Sequence, residues 1–347
     1  MIKIPSLVLD MKRCISNIEK GIEKAKKHNL LFRPHFKTHQ SAEIGKWFKD
    51  RGVDKITVSS LKMASYFSQS DWNNITLAFP ANPLQIRDYN KLSEQCELIL
   101  TVSTPDFLKY IEKLSSNIRF YVELDNGYKR SGLEYDSAIE VAQKIPEEQL
   151  EGFLLHAGDS YNAKSKKDIL QLQKNQIELA GRIKKRFPHK IFSTGDTPTF
   201  SVAEDFTKID EIRPGNFVFY DVMQLRLKSC ACSQIALAVY CPVVAKYATR
   251  NEIVIHGGAV HLSKENLEKQ YGLVAVAGNE GWNNPLPDTY VKSVSQEHGI
   301  ISTRSDILQM IEIGDILAIL PIHSCLTANL FKRYITTENK VIKKMKG

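Results

Sequence analysis

Lys37 lies in the stretch Arg33-Pro34-His35-Phe36-Lys37-Thr38-His39-Gln40. The apolar run Leu30-Leu31-Phe32 precedes it, and Ala42, Ile44, Trp47 and Phe48 follow at helical spacing. A strand therefore ends and a helix begins at this lysine, which is where α/β enzymes keep their reactive groups. Arg33 and His35, as charged or chargeable neighbours, would lower its pKa, and so would burial. A lysine amine tuned in this way is a nucleophile that forms a Schiff base.

Four other stretches carry polar residues just after apolar runs: Asp125-Asn126-Gly127-Tyr128-Lys129-Arg130-Ser131-Gly132, His156-Ala157-Gly158-Asp159-Ser160-Tyr161, Ser193-Thr194-Gly195-Asp196-Thr197-Pro198-Thr199 and Arg213-Pro214-Gly215-Asn216. The third offers hydroxyls and close backbone N–H groups ahead of a short helix, and Gly215-Asn216 offers more donors, a combination suited to a phosphate. Asp196 is awkward beside an anion and is expected to point away. Late in the chain comes Pro321-Ile322-His323-Ser324-Cys325. His323 and Cys325 at i and i+2 face one side of an extended chain, and imidazole with thiolate favours Zn²⁺. Two protein ligands are too few for a closed structural site and suit one with open positions.

The elements that must position these groups alternate regularly. Apolar or β-branched runs at Leu30–His35, Lys55–Ser59, Ile75–Phe79, Glu97–Val102, Ile118–Leu124, Gly152–His156, Lys190–Thr194 and Glu211–Tyr220 read as strands. Helical segments between them open on caps or prolines at Ser60, Asn82-Pro83, Thr104-Pro105 and Tyr135-Asp136-Ser137. Near-continuous apolar strands separated by helices predict a parallel sheet covered on its faces. Eight such units predict a (β/α)8 barrel, of about 250 residues in its usual form. A doubly wound sheet is the rival, but no G-x-G-x-x-G follows the first strand. On a barrel, the polar endings above gather at one mouth, and the loops after strands seven and eight are its usual phosphate site. A lysine nucleophile and a phosphate site on one barrel imply pyridoxal phosphate.

From about residue 235 the character changes. Gln234–Ala245, Glu252–Val260, Gly272–Ala277 and Asp315–Leu320 read as strands with little helix between. The expected organisation is a barrel over 1–234 and a mostly antiparallel β domain over 235–347. The extreme N-terminal strand at Leu7-Val8-Leu9-Asp10 is a candidate member of the β domain. Residues 337–347 read as frayed.

Composition bounds the partners. The net charge of +8 is spread over surface helices without a basic stripe interleaved with aromatics, so no nucleic-acid partner is expected. No apolar run approaches the ~20 residues of a membrane span, and the start of the chain has no signal-peptide core. Six cysteines without a C-x-x-C pair predict a reducing, cytoplasmic location.

Arg33-Pro34-His35-Phe36-Lys37-Thr38-His39 resembles the cofactor-lysine motif of the D-serine dehydratase / D-threonine aldolase family, fold-type III pyridoxal phosphate enzymes related to alanine racemase. His156–Tyr161, Ser193–Thr199, Arg213–Asp221, Gln296-Glu297-His298-Gly299 and His323-Ser324-Cys325 resemble the family's other blocks in the same order. The resemblance implies a head-to-tail homodimer and the following roles. Lys37 would carry the cofactor, His156 would lie against the pyridine ring, and Arg130 would approach the phenolic oxygen. Thr194, Gly195, Thr197, Gly215 and Asn216 would lie at the phosphate. Arg213 and Tyr161 compete for the pyridine nitrogen. His323 and Cys325 would hold Zn²⁺, with Mn²⁺ the other candidate. The aldolase branch has aspartate in place of Cys325, so the thiolate points to the dehydratase branch; Asp159 and Gln40 depart from the family pattern. The implied substrate is a small D-3-hydroxyamino acid. The expected reaction is loss of the β-hydroxyl to give a 2-oxo acid and ammonia. The alternatives are retro-aldol cleavage with His35 or His39 as base, a racemase, and a non-catalytic pyridoxal phosphate carrier.

Overall fold

The computed structural model describes residues 2–278 and 280–345, and its backbone falls into two compact units, Glu19–Gly215 and Met1–Ile18 with Asn216–Gly347. Strand β1 (Ser6–Leu9) precedes the long helix Met11–Lys27. The strands of the Glu19–Gly215 unit are β2 (Leu31–Phe32), β3 (Ile56–Val58), β4 (Asn74–Pro80), β5 (Glu97–Val102), β6 (Arg119–Leu124), β7 (Leu150–Leu155), β8 (Ile191–Thr194) and β9 (Glu211–Ile212). They form one eight-stranded parallel sheet in the order β2-β9-β8-β7-β6-β5-β4-β3. A parallel bridge between His35 and Thr57, with Thr57 N–H donating to Pro34 O at 2.9 Å, joins the chain after β2 to β3 and closes the ring. All eight strands expected from the sequence are present, and the fold is the expected (β/α)8 barrel.

Local chemistry explains the connections. Ser60, Asn82 and Thr104 each cap the following helical turn by accepting a backbone N–H, which satisfies a donor otherwise orphaned at a helix start. Ile99, Tyr121 and Leu154 form one fully buried cluster of the barrel core. Between β7 and β8 the backbones approach so closely that a Cβ on Gly152 would stand 2.0 Å from Ile191 O.

Polar groups also fill the barrel interior. Arg33 Nε donates to Glu211 Oε2 at 2.7 Å, Tyr121 Oη to Glu211 Oε1 at 3.1 Å and Ser193 Oγ to the same oxygen at 2.6 Å. Burial alone would raise the Glu211 pKa. The Arg33 charge and the donated hydrogen bonds outweigh it and hold the carboxyl below its ordinary value.

The second unit is built on β1 and on β10 (Leu237–Tyr247), β11 (Glu252–His256), β12 (Gly272–Gly278), β13 (Gly281–Trp282), β14 (Tyr290–Val294), β15 (His298–Ser302), β16 (Ile316–Pro321), β17 (Arg333–Thr336) and β18 (Val341–Lys343). Its order is β11-β15-β14-β12-β16-β10-β1-β17-β18, and β10 also pairs with β11. Strands β10, β11, β15, β14, β12 and β16 thus close a ring of antiparallel neighbours. β1 joins this sheet, antiparallel to β10 and parallel to β17. By compactness the chain changes unit at Gly215–Asn216, whereas strand character changes at residue 235. The stretch between holds only short helical turns, among them Val222–Arg226 and Cys232–Gln234. The C-terminal segment, expected to fray, instead contributes β18, paired with β17; residues 346 and 347 lie outside the described residues.

Candidate active site

The end of β2 and the loops after β6, β7, β8 and β9 bring titratable groups together. His35 is held by its backbone, N–H donating to Pro214 O at 2.9 Å. Its pKa lies well below the ordinary histidine value, first because it is buried and then because Lys37, Arg213, His156 and Arg130 all act on it. His156 is pushed down to about 3, again by burial first, with Arg130, Lys37 and Arg213 opposing its protonation against a hydrogen bond to Gly195 O. Both imidazoles are therefore neutral near pH 7, surrounded by three cationic side chains. Nδ1 of His156 lies 2.5 Å from Gly195 O.

Lys37 is exposed, on the turn after His35, and its own backbone N–H donates to His35 Nδ1 at 3.3 Å. Arg33 does not serve it as a cationic neighbour. Its guanidinium is buried, ion-paired with Glu211 and bonded to Asn74 Oδ1 at 2.5 Å. His35, being neutral, is no cationic neighbour either. His39 is likewise unsuited to act as a base: it is buried against Phe36, Phe48 and Phe67.

The loop after β8 is built around Asp196, which caps the helix Thr197–Val202. Its Oδ1 accepts from Thr199 N–H at 2.7 Å and from Ser160 Oγ at 2.8 Å. The carboxylate thus turns into the protein, and burial raises its pKa to about 6. The Thr194 hydroxyl donates to Gln176 on the helix Lys166–Arg186, so it too faces inward. Thr197 is buried, and its N–H donates to Tyr161 Oη at 3.4 Å. A Cβ on Gly195 would meet Arg213 Cβ at 2.8 Å, and one on Gly215 would lie 3.1 Å from His35 O and from Thr38 Oγ1. Glycine at 195 and 215 lets these turns pack closely.

Arg213 is buried, and its guanidinium donates to Leu155 O at 2.9 Å and to Ser193 Oγ. Burial lowers its pKa to about 10, so it stays charged at neutral pH. Arg130 is exposed, 5.5 Å from the Tyr128 ring centroid, and Tyr128 in turn lies edge-on to His156 at 6.0 Å. In the sequence Tyr128 is only one member of a turn. What gives it weight is Gly158, where a Cβ would stand 2.3 Å from the tyrosine ring. Neutral imidazoles, three cations and glycine-tightened loops fit an anionic aromatic cofactor such as pyridoxal phosphate.

In the β-rich unit, His323 precedes the helix Ser324–Asn329 as its N-cap residue, and Cys325 lies in its first turn. Burial lowers the His323 pKa, but a hydrogen bond with Cys325, the thiolate charge and the carboxylates Asp221 and Glu265 outweigh it and raise the value to about 9. Asn216 Nδ2 donates to Asp221 Oδ2 at 2.6 Å, Ser324 Oγ at 3.1 Å and Cys325 Sγ at 3.7 Å. Ser324 N–H also donates to Asp221, at 2.9 Å. Asn216 Oδ1 is buried with no hydrogen-bond partner among the described residues. An imidazole and a thiol already sharing a proton are a donor set that fits a thiophilic divalent cation. Asp221 is a participant that the motif alone does not single out.

Residues 9–222 match the family model described as alanine racemase, N-terminal domain, and residues 236–337 match the putative serine dehydratase domain. The chain is 27% identical to a D-serine dehydratase of Dictyostelium discoideum over 95% of this chain and 93% of that one. It is 25% identical to a D-threo-3-hydroxyaspartate dehydratase of Delftia sp. (strain HT23), with the same shares covered. A solved structure of a D-threo-3-hydroxyaspartate dehydratase, a cysteine-to-alanine mutant described as being in the metal-free form, superposes with a TM-score of 0.90 at 24% identity, covering 100% of this chain and 98% of that one.

Proposed function

We propose, on the premise that the chain belongs to the alanine racemase N-terminal domain family, that it is a pyridoxal phosphate- and metal-dependent D-3-hydroxyamino acid dehydratase. Its products would be a 2-oxo acid and ammonia. The observation that carries the lyase reading is the cluster of Lys37, Arg130 and Arg213 around two neutral histidines. The dehydratase relatives, which the chain matches over nearly its whole length, support the same class.

The residues take these parts. Lys37 would hold the cofactor, and its amine would be the base for the proton on the substrate Cα. His156, neutral and held by Gly195 O, presents a flat uncharged ring to the cofactor. Arg130 would be the residue at the phenolic oxygen. Arg213, buried and still charged at neutral pH, is the candidate for the pyridine nitrogen, with Tyr161 as the alternative. The N–H groups of Gly195, Gly215 and Asn216 are the candidates to receive the phosphate, with Thr197 beside them and its own N–H turned to Tyr161 Oη. When bound, the cofactor supplies an electron sink for the pair left at Cα. His323 and Cys325 would hold Zn²⁺ or Mn²⁺, which lowers the basicity of the departing hydroxide.

We further read the protein as a cytoplasmic homodimer. The dimer rests on the family resemblance of the sequence blocks, and the location on six cysteines of which none is in a disulfide. The test is Lys37→Ala. Loss of the visible absorbance of the lysine-bound cofactor is expected, and its survival would remove Lys37 from the role.

A further inference from the structure

A second cluster of metal-binding side chains lies in the β-rich unit, apart from His323 and Cys325 in sequence and in elements. His256 ends β11, His261 sits on the short helix Ala259–Leu262, and Glu297 lies in the turn between β14 and β15. Their donor atoms all lie within 4.8 Å of one another. His256 Nε2 is 3.5 Å and His261 Nε2 is 3.8 Å from Glu297 Oε2. A zinc ion about 2.0–2.1 Å from each of three tetrahedral donors needs those donors about 3.3–3.4 Å apart. The two spacings to Glu297 are therefore within about half an ångström of that value, and the two imidazole donors lie within 4.8 Å of each other.

The backbone holds the three residues together. Gly257 N–H donates to Glu297 O at 2.9 Å, Ala259 N–H to Ser295 O at 2.7 Å and Val260 N–H to Gln296 O at 3.2 Å. Glycine at 258 permits this, since a Cβ there would stand 2.4 Å from the carbonyl oxygens of Ser295 and Gln296. His256 is also fixed by its place in the ladder, opposite His298. The turn carrying Glu297 is thus pinned to the segment carrying both histidines, and the carboxylate is presented to both rings at once.

Two observations go beyond a surface ion pair. Nδ1 of His261 is buried with no hydrogen-bond partner among the described residues. The ring is therefore oriented by packing, including Phe331 at 6.0 Å, with Nε2 turned toward Glu297. The side chains of His256 and Glu297 are 38% and 48% exposed, so an ion has a path in and room for a water ligand.

We propose that His256, His261 and Glu297 form a site for a divalent transition-metal ion of the zinc class, with two imidazoles, one carboxylate and an open position for water. Two histidines and a glutamate around an open fourth position are a donor set known to hold zinc. The proposal does not rest on the dehydratase reading.

The test uses the full-length chain, stripped with a chelator and titrated with zinc chloride alone, the bound metal being counted after desalting. In a His323→Ala/Cys325→Ala background the chain should bind about one equivalent of zinc. Adding His261→Asn or Glu297→Gln should weaken that binding by about tenfold or more. Should the double-alanine background fail to fold, Co²⁺ replaces zinc on the otherwise unaltered chain. His261→Asn should then remove one equivalent of cobalt and leave any thiolate-to-cobalt charge-transfer band in place. No metal bound in the His323→Ala/Cys325→Ala background would overturn the proposal. So would zinc or cobalt binding indifferent to His261→Asn and Glu297→Gln.

Discussion

Nδ1 of His156 points at the carbonyl oxygen of Gly195 from 2.5 Å. A carbonyl only accepts, so the neutral ring carries its proton on Nδ1 and leaves Nε2 as the acceptor. The hydrogen bond ties the end of β7 to the loop after β8, and it makes a pH prediction. Burial, with Arg130 next, lowers the His156 pKa from 6.5 to about 3. Between those values the unfolded chain binds a proton that the folded chain does not. The stability from the neutral ring is thus fully present above pH 6.5 and is lost as pH falls toward 3. On moving from pH 7 to pH 5, cofactor-free protein should lose about 2 kcal/mol more than His156→Phe loses. Denaturant unfolding at both pH values reads this, and equal losses would show that His156 titrates normally.

Arg33 and Glu211 form the ion pair at the centre of the barrel, both essentially without solvent contact. Removing one partner strands a buried charge, which costs about 3–5 kcal/mol. Glu211→Ala should show that loss in a denaturant melt. Replacing both, as Arg33→Met with Glu211→Leu, should recover much of it, because the desolvation penalty disappears with the charges. A double variant no more stable than Glu211→Ala would mean that the pair is worth more than its burial costs.

Gly152→Ala tests the closeness of β7 and β8. The added methyl would meet Ile191 O at 2.0 Å, and backbone there cannot yield without disturbing the barrel ladder. Overpacking of this kind costs about 1–3 kcal/mol. A fall in denaturant midpoint is expected, with no change in the slope of the transition.

The barrel strands are legible in the sequence because parallel strands buried on both faces read as unbroken apolar runs. In the β-rich unit, β14 and β15 escape such a reading because neither is an unbroken apolar run: β14 buries only Val291, and β15 alternates buried with exposed or half-exposed positions. β18 reads as frayed because its flanks Val341 and Lys343 are exposed and only Ile342 is buried. At the candidate active site, the inward turn of Asp196 follows from its chemistry, since a carboxylate at a cap position bonds the helix start. The fate of Arg33 does not, because its partner Glu211 is far along the chain and meets it only when the ring closes. The proximity of Tyr128 to His156 depends likewise on the packing of Gly158.

Metal removal should act through His323 and Cys325. The two side chains are hydrogen-bonded to each other, and a divalent ion would take the place of the proton between them. His323→Ala and Cys325→Ala should each lower turnover by more than about 100-fold, beyond the loss typical of an outer-sphere residue. A chelator should do the same to the unaltered protein, with recovery on adding Zn²⁺ or Mn²⁺. Turnover indifferent to the chelator would refute the role assigned to this pair.

The central claim is that the chain removes the β-hydroxyl of a D-3-hydroxyamino acid. The most direct measurement is product analysis of the purified, cofactor- and metal-loaded protein with D-serine, D-threonine and D-3-hydroxyaspartate. A dehydratase yields equal amounts of 2-oxo acid and ammonia from at least one of them, and no glycine; that is the expected result. Glycine with an aldehyde would contradict it and make the protein an aldolase, and recovery of the L-amino acid alone would make it a racemase.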